Sequence, residues 1–273
     1  MLKQRVITGL VLILLAFGGI GLLPVELFGL FSLMFIVGLG AWEWAGLTGC
    51  YLPEKRLLGT MIILLASVPL VFIRPDPVWV LVVSIPVWFS ILVALKIYPR
   101  NAGFYKKHAL AMRLSGILVL LPAWYALVAL HAMHYSYVFY LISLVALADT
   151  AAYFTGRKFG RTKLAPDLSP GKTKEGVSGA VLATAVWAWL VSSFWLDIPK
   201  EQQVVFMALS IFVVLMSVAG DLFESLLKRE AGVKDSGSIL PGHGGILDRV
   251  DSLLAAAPLF TLGLLWLGIY RGI

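Results

Sequence analysis

Nine stretches of this chain are apolar over roughly the 20 residues that a helix needs to cross a hydrocarbon core, and no soluble packing scheme hides so many. They run over residues 6–23, 28–48, 57–73, 78–98, 114–133, 135–156, 177–196, 204–225 and 252–270. A backbone in lipid must satisfy its own N–H and C=O groups, so the pattern predicts an all-α, polytopic integral membrane protein of about nine transmembrane helices. The composition agrees: 60% of the 273 residues are hydrophobic and 14% charged, against about a quarter charged in a soluble domain. Pro86 and Pro122 fall inside spans and are expected to kink a helix without preventing insertion. Lys3 and Arg5 ahead of an apolar run imitate a signal peptide. The run continues to Leu23 without a small-residue cleavage site, so it reads as a retained first span.

Lysine and arginine set the orientation. With the N-terminus in the cytosol, 19 of the 22 basic residues fall on inside segments, and only Arg74, Lys200 and Arg271 lie outside. The C-terminus then faces outward. The net charge of +7 comes without a basic run long enough to serve as a nucleic-acid arm, which leaves anionic lipid or a phosphate-rich substrate as its partner. Cys50 is the one cysteine, so an intramolecular disulfide and a cysteine metal cluster are both excluded. Two inside loops, 157–176 and 226–251, are long and rich in Gly, Lys and Asp. Residues 1–134 carry the first five spans, and residues 135–273 carry the last four with both loops, in one continuous membrane domain.

An acid within a span costs about 2.5–3.5 kcal/mol at the bilayer centre and is a candidate for function. Glu43, Asp149 and Asp221 qualify, each in the cytosolic half of an even-numbered span. Each has a plainer reading. Glu43, between Trp42 and Trp44, would pair with a loop lysine at the interface, and Asp149 would be hydrogen-bonded to a neighbouring helix through Thr150 or Tyr153. Asp221 is harder to dismiss, because helical spacing sets it on one stripe with Ser225 and Lys228. Glu224 and Lys228 read as a surface pair.

Residues 225–251 hold the densest chemistry: Ser225, Lys228, Arg229, Lys234, Asp235, Pro241, Gly242, His243, Gly244, Gly245, Asp248, Arg249 and Asp251. Aspartate oxygens suit Mg²⁺, lysine and arginine suit multivalent phosphate, and glycines let backbone N–H groups approach phosphate oxygens. Singly these are weak signals; His243 reads equally as a structural loop histidine, and Asp251 with Ser252 as a cap of the ninth helix. The other loop repeats the theme in Ser169-Pro-Gly-Lys172-Thr-Lys174-Glu-Gly. No glycine stands where a P-loop needs one, and a transmembrane helix precedes the segment rather than a strand, so the P-loop is rejected and the lysines keep a phosphate-binding role.

The run from Ser225 to Asp251 resembles the signature of the phosphatidate cytidylyltransferases, also called CDP-diacylglycerol synthases. Residues 169–176 and 149–153 are similar to that family too, so the resemblance covers at least 149–252. It implies transfer of cytidylyl from CTP to phosphatidate, giving CDP-diacylglycerol and pyrophosphate, with Mg²⁺ and a second cation such as K⁺. It also implies a homodimer in the bacterial plasma (inner) membrane with its site facing the cytosol. By position it makes Asp221 and Asp248 the metal ligands, with Lys228, Lys234, Arg249 and Asp251 as further catalytic residues. Asp149, Ser169, Lys172, Lys174, Ser225, Arg229, His243, Gly244 and Gly245 are then the substrate contacts.

Three rivals compete. An ion- or proton-coupled transporter using Glu43, Asp149 and Asp221 predicts acids spread through the bilayer and paired broken helices in two halves, and no internal repeat is evident. A CDP-alcohol phosphatidyltransferase would need a paired Asp-x-x-x-Asp pattern that is absent. A scaffold for anionic lipid would tolerate Asp248→Asn.

Overall fold

The structure, a computed structural model, describes residues 2–98, 108–196 and 198–269. Arg100, Lys106, Lys107, Arg271 and the side chains of Lys3 and Arg5, all used in the orientation argument, lie outside the described residues. The elements run α1 (Leu2–Leu22), α2 (Val25–Leu47), α3 (Pro53–Ile73), α4 (Pro77–Ile97), α5 (Ala109–Met133), α6 (Tyr135–Phe159), β1 (Lys163–Ala165), β2 (Ser169–Thr173), α7 (Lys174–Phe194), α8 (Lys200–Ala231) and α9 (Leu247–Leu267). Eight of the helices, α2 to α9, are long and apolar enough to cross a membrane. The apolar part of α1, Val6–Leu22, is shorter.

Boundaries follow local chemistry. Pro53 and Pro77 open α3 and α4 with φ already helical, and Asp76 accepts the Val78 N–H at 2.8 Å. Gly232 and Gly268 end α8 and α9 in the left-handed region. Pro122 sits inside α5, which runs unbroken past it. Residues Leu33–Leu39 of α2 wind as a π-helix before the chain returns to α-helix at Gly40.

Two expectations need correcting. The 157–176 segment is not a loop in an all-α protein: α6 continues to Phe159, and β1 pairs antiparallel with β2, Lys163 opposite Thr173 and Ala165 opposite Ser169. Thr173 then caps α7, its Oγ1 accepting from Gly176 N at 3.1 Å. The 226–251 loop is also shorter than the apolar pattern implied, because α8 extends to Ala231 and α9 begins at Leu247. At 32 residues α8 is about 48 Å long, well beyond a hydrocarbon core of about 30 Å. Loss of apolarity marks where a helix leaves lipid, not where its hydrogen bonding stops.

The core has two parts. Tyr140, Phe206 and Phe260 pack together, with Tyr140 Oη bonded to Ser210 Oγ at 2.7 Å. Nearer the polar end, Trp44 and Trp88 flank Phe223, and Trp44 Nε1 donates to Met112 O at 3.0 Å. Between helices in lipid no water is expelled, so close approach matters more than apolarity. Backbone meets backbone closely between α8 and α9: a Cβ on Gly220 would lie 2.5 Å from the Asp251 carbonyl. That contact sets Asp221 beside Asp251.

Candidate active site

Charged side chains gather where α8, α9, α6 and the β-hairpin meet. Lys172 of β2 reaches Asp221 of α8, Nζ to Oδ2 2.6 Å, and the other oxygen of Asp221 accepts from Ser225 Oγ at 3.4 Å. Asp221 remains 28% exposed. Asp149 of α6 lies within electrostatic range of both Lys172 and Asp221, and Asp251 of α9 within range of Asp221, Lys172 and Lys228. Thr150 and Tyr153 bond instead to Ala146 O and Arg157, so neither ties Asp149 to a neighbouring helix. Asp251 lies a full turn inside α9 rather than at its cap.

The second half centres on Lys228. Its ammonium bridges Glu224 Oε2 at 2.5 Å and Asp248 Oδ1 at 2.7 Å. Glu224 is 2% exposed, so its pairing with Lys228 is a buried contact and not the surface pair expected. Removing either partner would strand a charge in a dry place. Glu224 Oε1 is buried without a hydrogen-bond partner among the described residues. The other oxygen of Asp248 accepts from Ser236 N at 3.0 Å and Gly245 N at 2.8 Å, and lies 3.0 Å from Ser236 Oγ, whose single proton it shares with Glu43.

Sequence reasoning missed what holds Asp248 in place. Glu43 is buried at 2% exposure, and it pairs with backbone rather than with a loop lysine. Its oxygens accept from Ile246 N at 3.0 Å, Leu247 N at 2.9 Å and Ser236 Oγ at 2.9 Å. It therefore caps the first turn of α9, where four N–H groups lack partners and the helix dipole favours an anion. Ser236 joins Glu43 to Asp248. Ser236 carried no motif of its own, and Glu43 acts across about 200 residues of chain, a separation that local spacing cannot encode.

The glycines of the loop fit this network. Gly244 has φ +81°, and a Cβ there would lie 2.7 Å from Asp248 Oδ2. A Cβ on Gly245 would land on Ser236 Oγ and on both oxygens of Glu43. Gly245→Ala is accordingly expected to destabilise the detergent-purified protein by about 1–3 kcal/mol, read as a lower thermal midpoint. An unchanged midpoint would show that the loop yields freely.

The remaining candidates divide. Arg249 is exposed and donates through Nε and Nη2 to His243 O at 3.2 and 2.7 Å, which fixes the turn carrying Gly244. His243 Nδ1 is buried with no hydrogen-bond partner among the described residues. Arg229 turns away to Leu168 O at 3.3 Å and ties α8 to the hairpin. Ser169 opens β2, while Lys174 and Lys234 are exposed. Glu175 holds the hairpin by accepting from Arg161 N and Thr162 N, each at 3.1 Å.

Fold and site together define a polytopic membrane protein with a half-open lysine–carboxylate cluster at one end of its bundle. The cytidylyltransferase family model matches residues 3–266. A phosphatidate cytidylyltransferase of Pseudomonas aeruginosa is 40% identical over 270 residues, covering 97% of each chain. One from Haemophilus influenzae is 36% identical over 96% of this chain and 98% of its own, and one from Thermotoga maritima is 47% identical over 40% of this chain and 42% of its own. The chain belongs to the cytidylyltransferase family.

Proposed function

We propose that this protein transfers cytidylyl from CTP to phosphatidate, forming CDP-diacylglycerol and pyrophosphate. The observation that carries the reading is the pair of lysine–carboxylate contacts, Lys172–Asp221 and Lys228–Asp248, drawn from three separate elements into one end of the bundle. A transporter would string Glu43, Asp149 and Asp221 along a path through the membrane, whereas Asp149 and Asp221 lie together with Asp251 and Glu43 is engaged by backbone N–H groups at the start of α9. The site is read as facing the cytosol of a bacterial cell at the plasma membrane, with nine spans and an outward C-terminus, from the lysine and arginine distribution and the bacterial relatives.

Among the described residues no three His, Cys, Asp or Glu side chains form a preassembled metal cage. That suits Mg²⁺, which commonly takes one or two carboxylates and completes its shell with water and substrate phosphate. Asp221 fits as a ligand: it is partly open, one oxygen is only loosely held, and a cation, the Lys172 ammonium, already stands on the other. Asp248 fits through Oδ1 alone, where the Lys228 ammonium stands at 2.7 Å, because Oδ2 is held by Ser236 and Gly245. Glu224 Oε1, buried and without a hydrogen-bond partner among the described residues, is the oxygen that would hold a further cation such as K⁺. The bound metal would supply Lewis-acid chemistry toward phosphate oxygen.

The chain's own groups do the rest. The nucleophile is already an anionic lipid phosphate, so no strong base is required, and the barrier is the meeting of two polyanions in line. When CTP arrives, Lys172 exchanges Asp221 for triphosphate oxygens. Lys228 holds Asp248 against repulsion and, with Lys174 and Lys234, offsets charge on the leaving pyrophosphate. Asp149 stands within electrostatic range of Lys172, and Asp251 of both Lys172 and Lys228, so these acids draw the two ammonium groups toward the site.

The test supplies CTP, phosphatidate and Mg²⁺ to the purified protein in detergent. Labelled CDP-diacylglycerol is expected, and chelation with EDTA is expected to reduce its formation at least a hundredfold, restored by excess Mg²⁺. Monodisperse protein that forms no product removes the proposal, and undiminished activity in EDTA removes its metal.

A further inference from the structure

Behind α1 the helices leave a slot. A cavity of about 320 Å³ lies between α1, α2, α5, α6 and the first turns of α9. Leu12, Ala16, Phe31, Ile36, Ile142 and Leu253 line it, and Arg249 stands among the lining residues as its one charged group. Along α1 it extends from Leu12 to Ile20, about 12 Å at helical rise. The helix in front closes it poorly: from Val6 to Leu22 only Gly19 and Ile20 are buried, while Leu10, Ile13, Leu14 and Phe17 are exposed. The far wall includes Phe35 and Ile36 of the π-helical stretch, a winding found often at functional sites.

The polar end of the slot belongs to the site. Thr8 Oγ1 of α1 donates to Pro241 O at 3.0 Å, and Gly9 faces the His243 ring, so α1 is tied to the site loop at that end. Arg249 follows Asp248 directly in the chain. Its Nε and Nη2 bind His243 O, and Nη1 has no partner among the described residues.

Three other apolar cavities lack this combination. The one between α4, α8 and α9, around Trp88, Phe212 and Trp266, has no charged lining residue. That between α6 and α7 ends on Glu175, the wrong sign for a phosphate. The cavity holding Arg74 has Glu26 beside it, 4.0 Å away, at the end of α2 opposite Glu43.

We propose that the slot behind α1 receives an acyl chain of phosphatidate, with the lipid phosphate held at Arg249 next to Asp248; this rests on the function proposed above. A chain in the slot lies along α1 roughly parallel to the leaflet lipids, so the substrate enters without leaving the bilayer. Its anionic head meets a cation at the water boundary, where an arginine fork matches a phosphate.

The test uses the full-length protein and two readouts. In the first, phosphatidate with a diazirine in its acyl chain is photolysed with the wild-type protein in detergent. Label is expected on peptides covering residues 12–20 and 28–36, competed by unlabelled phosphatidate; label confined to α4, α7 or α8 overturns the proposal. In the second, Ala16→Phe fills the slot. Its KM for dioleoyl phosphatidate is expected to rise about tenfold or more, with kcat and the KM for CTP unchanged and dihexanoyl phosphatidate used as by wild type. An equal KM for the long-chain lipid in wild type and variant overturns the slot. Should Ala16→Phe not fold, the labelling decides alone. A wild-type protein that makes no CDP-diacylglycerol from either lipid removes the proposed function, an outcome distinct from an active enzyme labelled elsewhere.

Discussion

Asp221→Asn is expected to lower turnover of CTP with phosphatidate by about 10²–10³-fold while the protein still inserts and purifies as a single species. Asparagine keeps the shape of the side chain and its bond to Ser225, but it cannot neutralise a cation. Asp221 is 28% exposed, so loss of its pair with Lys172 falls on a screened contact and little folding stability goes with it. The loss is therefore expected in kcat, with a smaller rise in the KM for CTP, because the charge is needed most when two phosphates are closest. Kinetics at saturating Mg²⁺ separate the two. A variant within threefold of wild type would mean that the metal is held elsewhere, with Asp149 and Asp251 the nearest remaining carboxylates.

Glu43→Ala is expected to damage both stability and turnover, although Glu43 touches no proposed substrate position. Removing the carboxylate leaves Ile246 N and Leu247 N buried without acceptors and frees Ser236 Oγ. Each stranded N–H costs about 1–3 kcal/mol, so a clear fall in the thermal midpoint should accompany the substitution. Ser236 is also a donor to Asp248, so the carboxylate of Asp248 loses its fixed aim. A displacement of about 1 Å at such a group can cost a hundredfold in rate. Glu43→Gln keeps one carbonyl acceptor in a side chain of the same length and should recover part of both losses. If Glu43→Ala matched wild type in midpoint and in kcat, the cap would be an accident of packing.

These two residues differ in how visible they were from the sequence. Asp221 announced itself, because a carboxylate in an apolar run has no inexpensive explanation and helical spacing already set Ser225 and Lys228 on its stripe. Glu43 stood out for the same reason, yet its partner did not. Its acceptors serve backbone N–H groups at the start of a helix some 200 residues later, and backbone carries no sequence signal. Glu224 was misjudged for a related cause: a Glu–Lys pair one turn apart looks the same on a wet surface and against the packed end of α9. The hairpin at Lys163–Thr173 was hidden because strands this short carry too little alternation to register.

Apolar length marked in the sequence the runs that eight of the described helices, α2 to α9, occupy, since hydrocarbon forbids an unsatisfied backbone. Lysine and arginine placement set the expectation of which ends share a side of the membrane, and the Asp, Lys and Gly content of two segments set the expectation of phosphate chemistry there. Tertiary structure decided the rest. The crossing of α8 and α9 at Gly220, the reach of Lys172 from the hairpin, the Glu43–Ser236–Asp248 chain and the slot behind α1 all depend on which helix lies against which. Side chains far apart in sequence acquire a distance only when the helices pack, and in lipid that packing is set by shape, which a one-dimensional pattern of polarity does not contain.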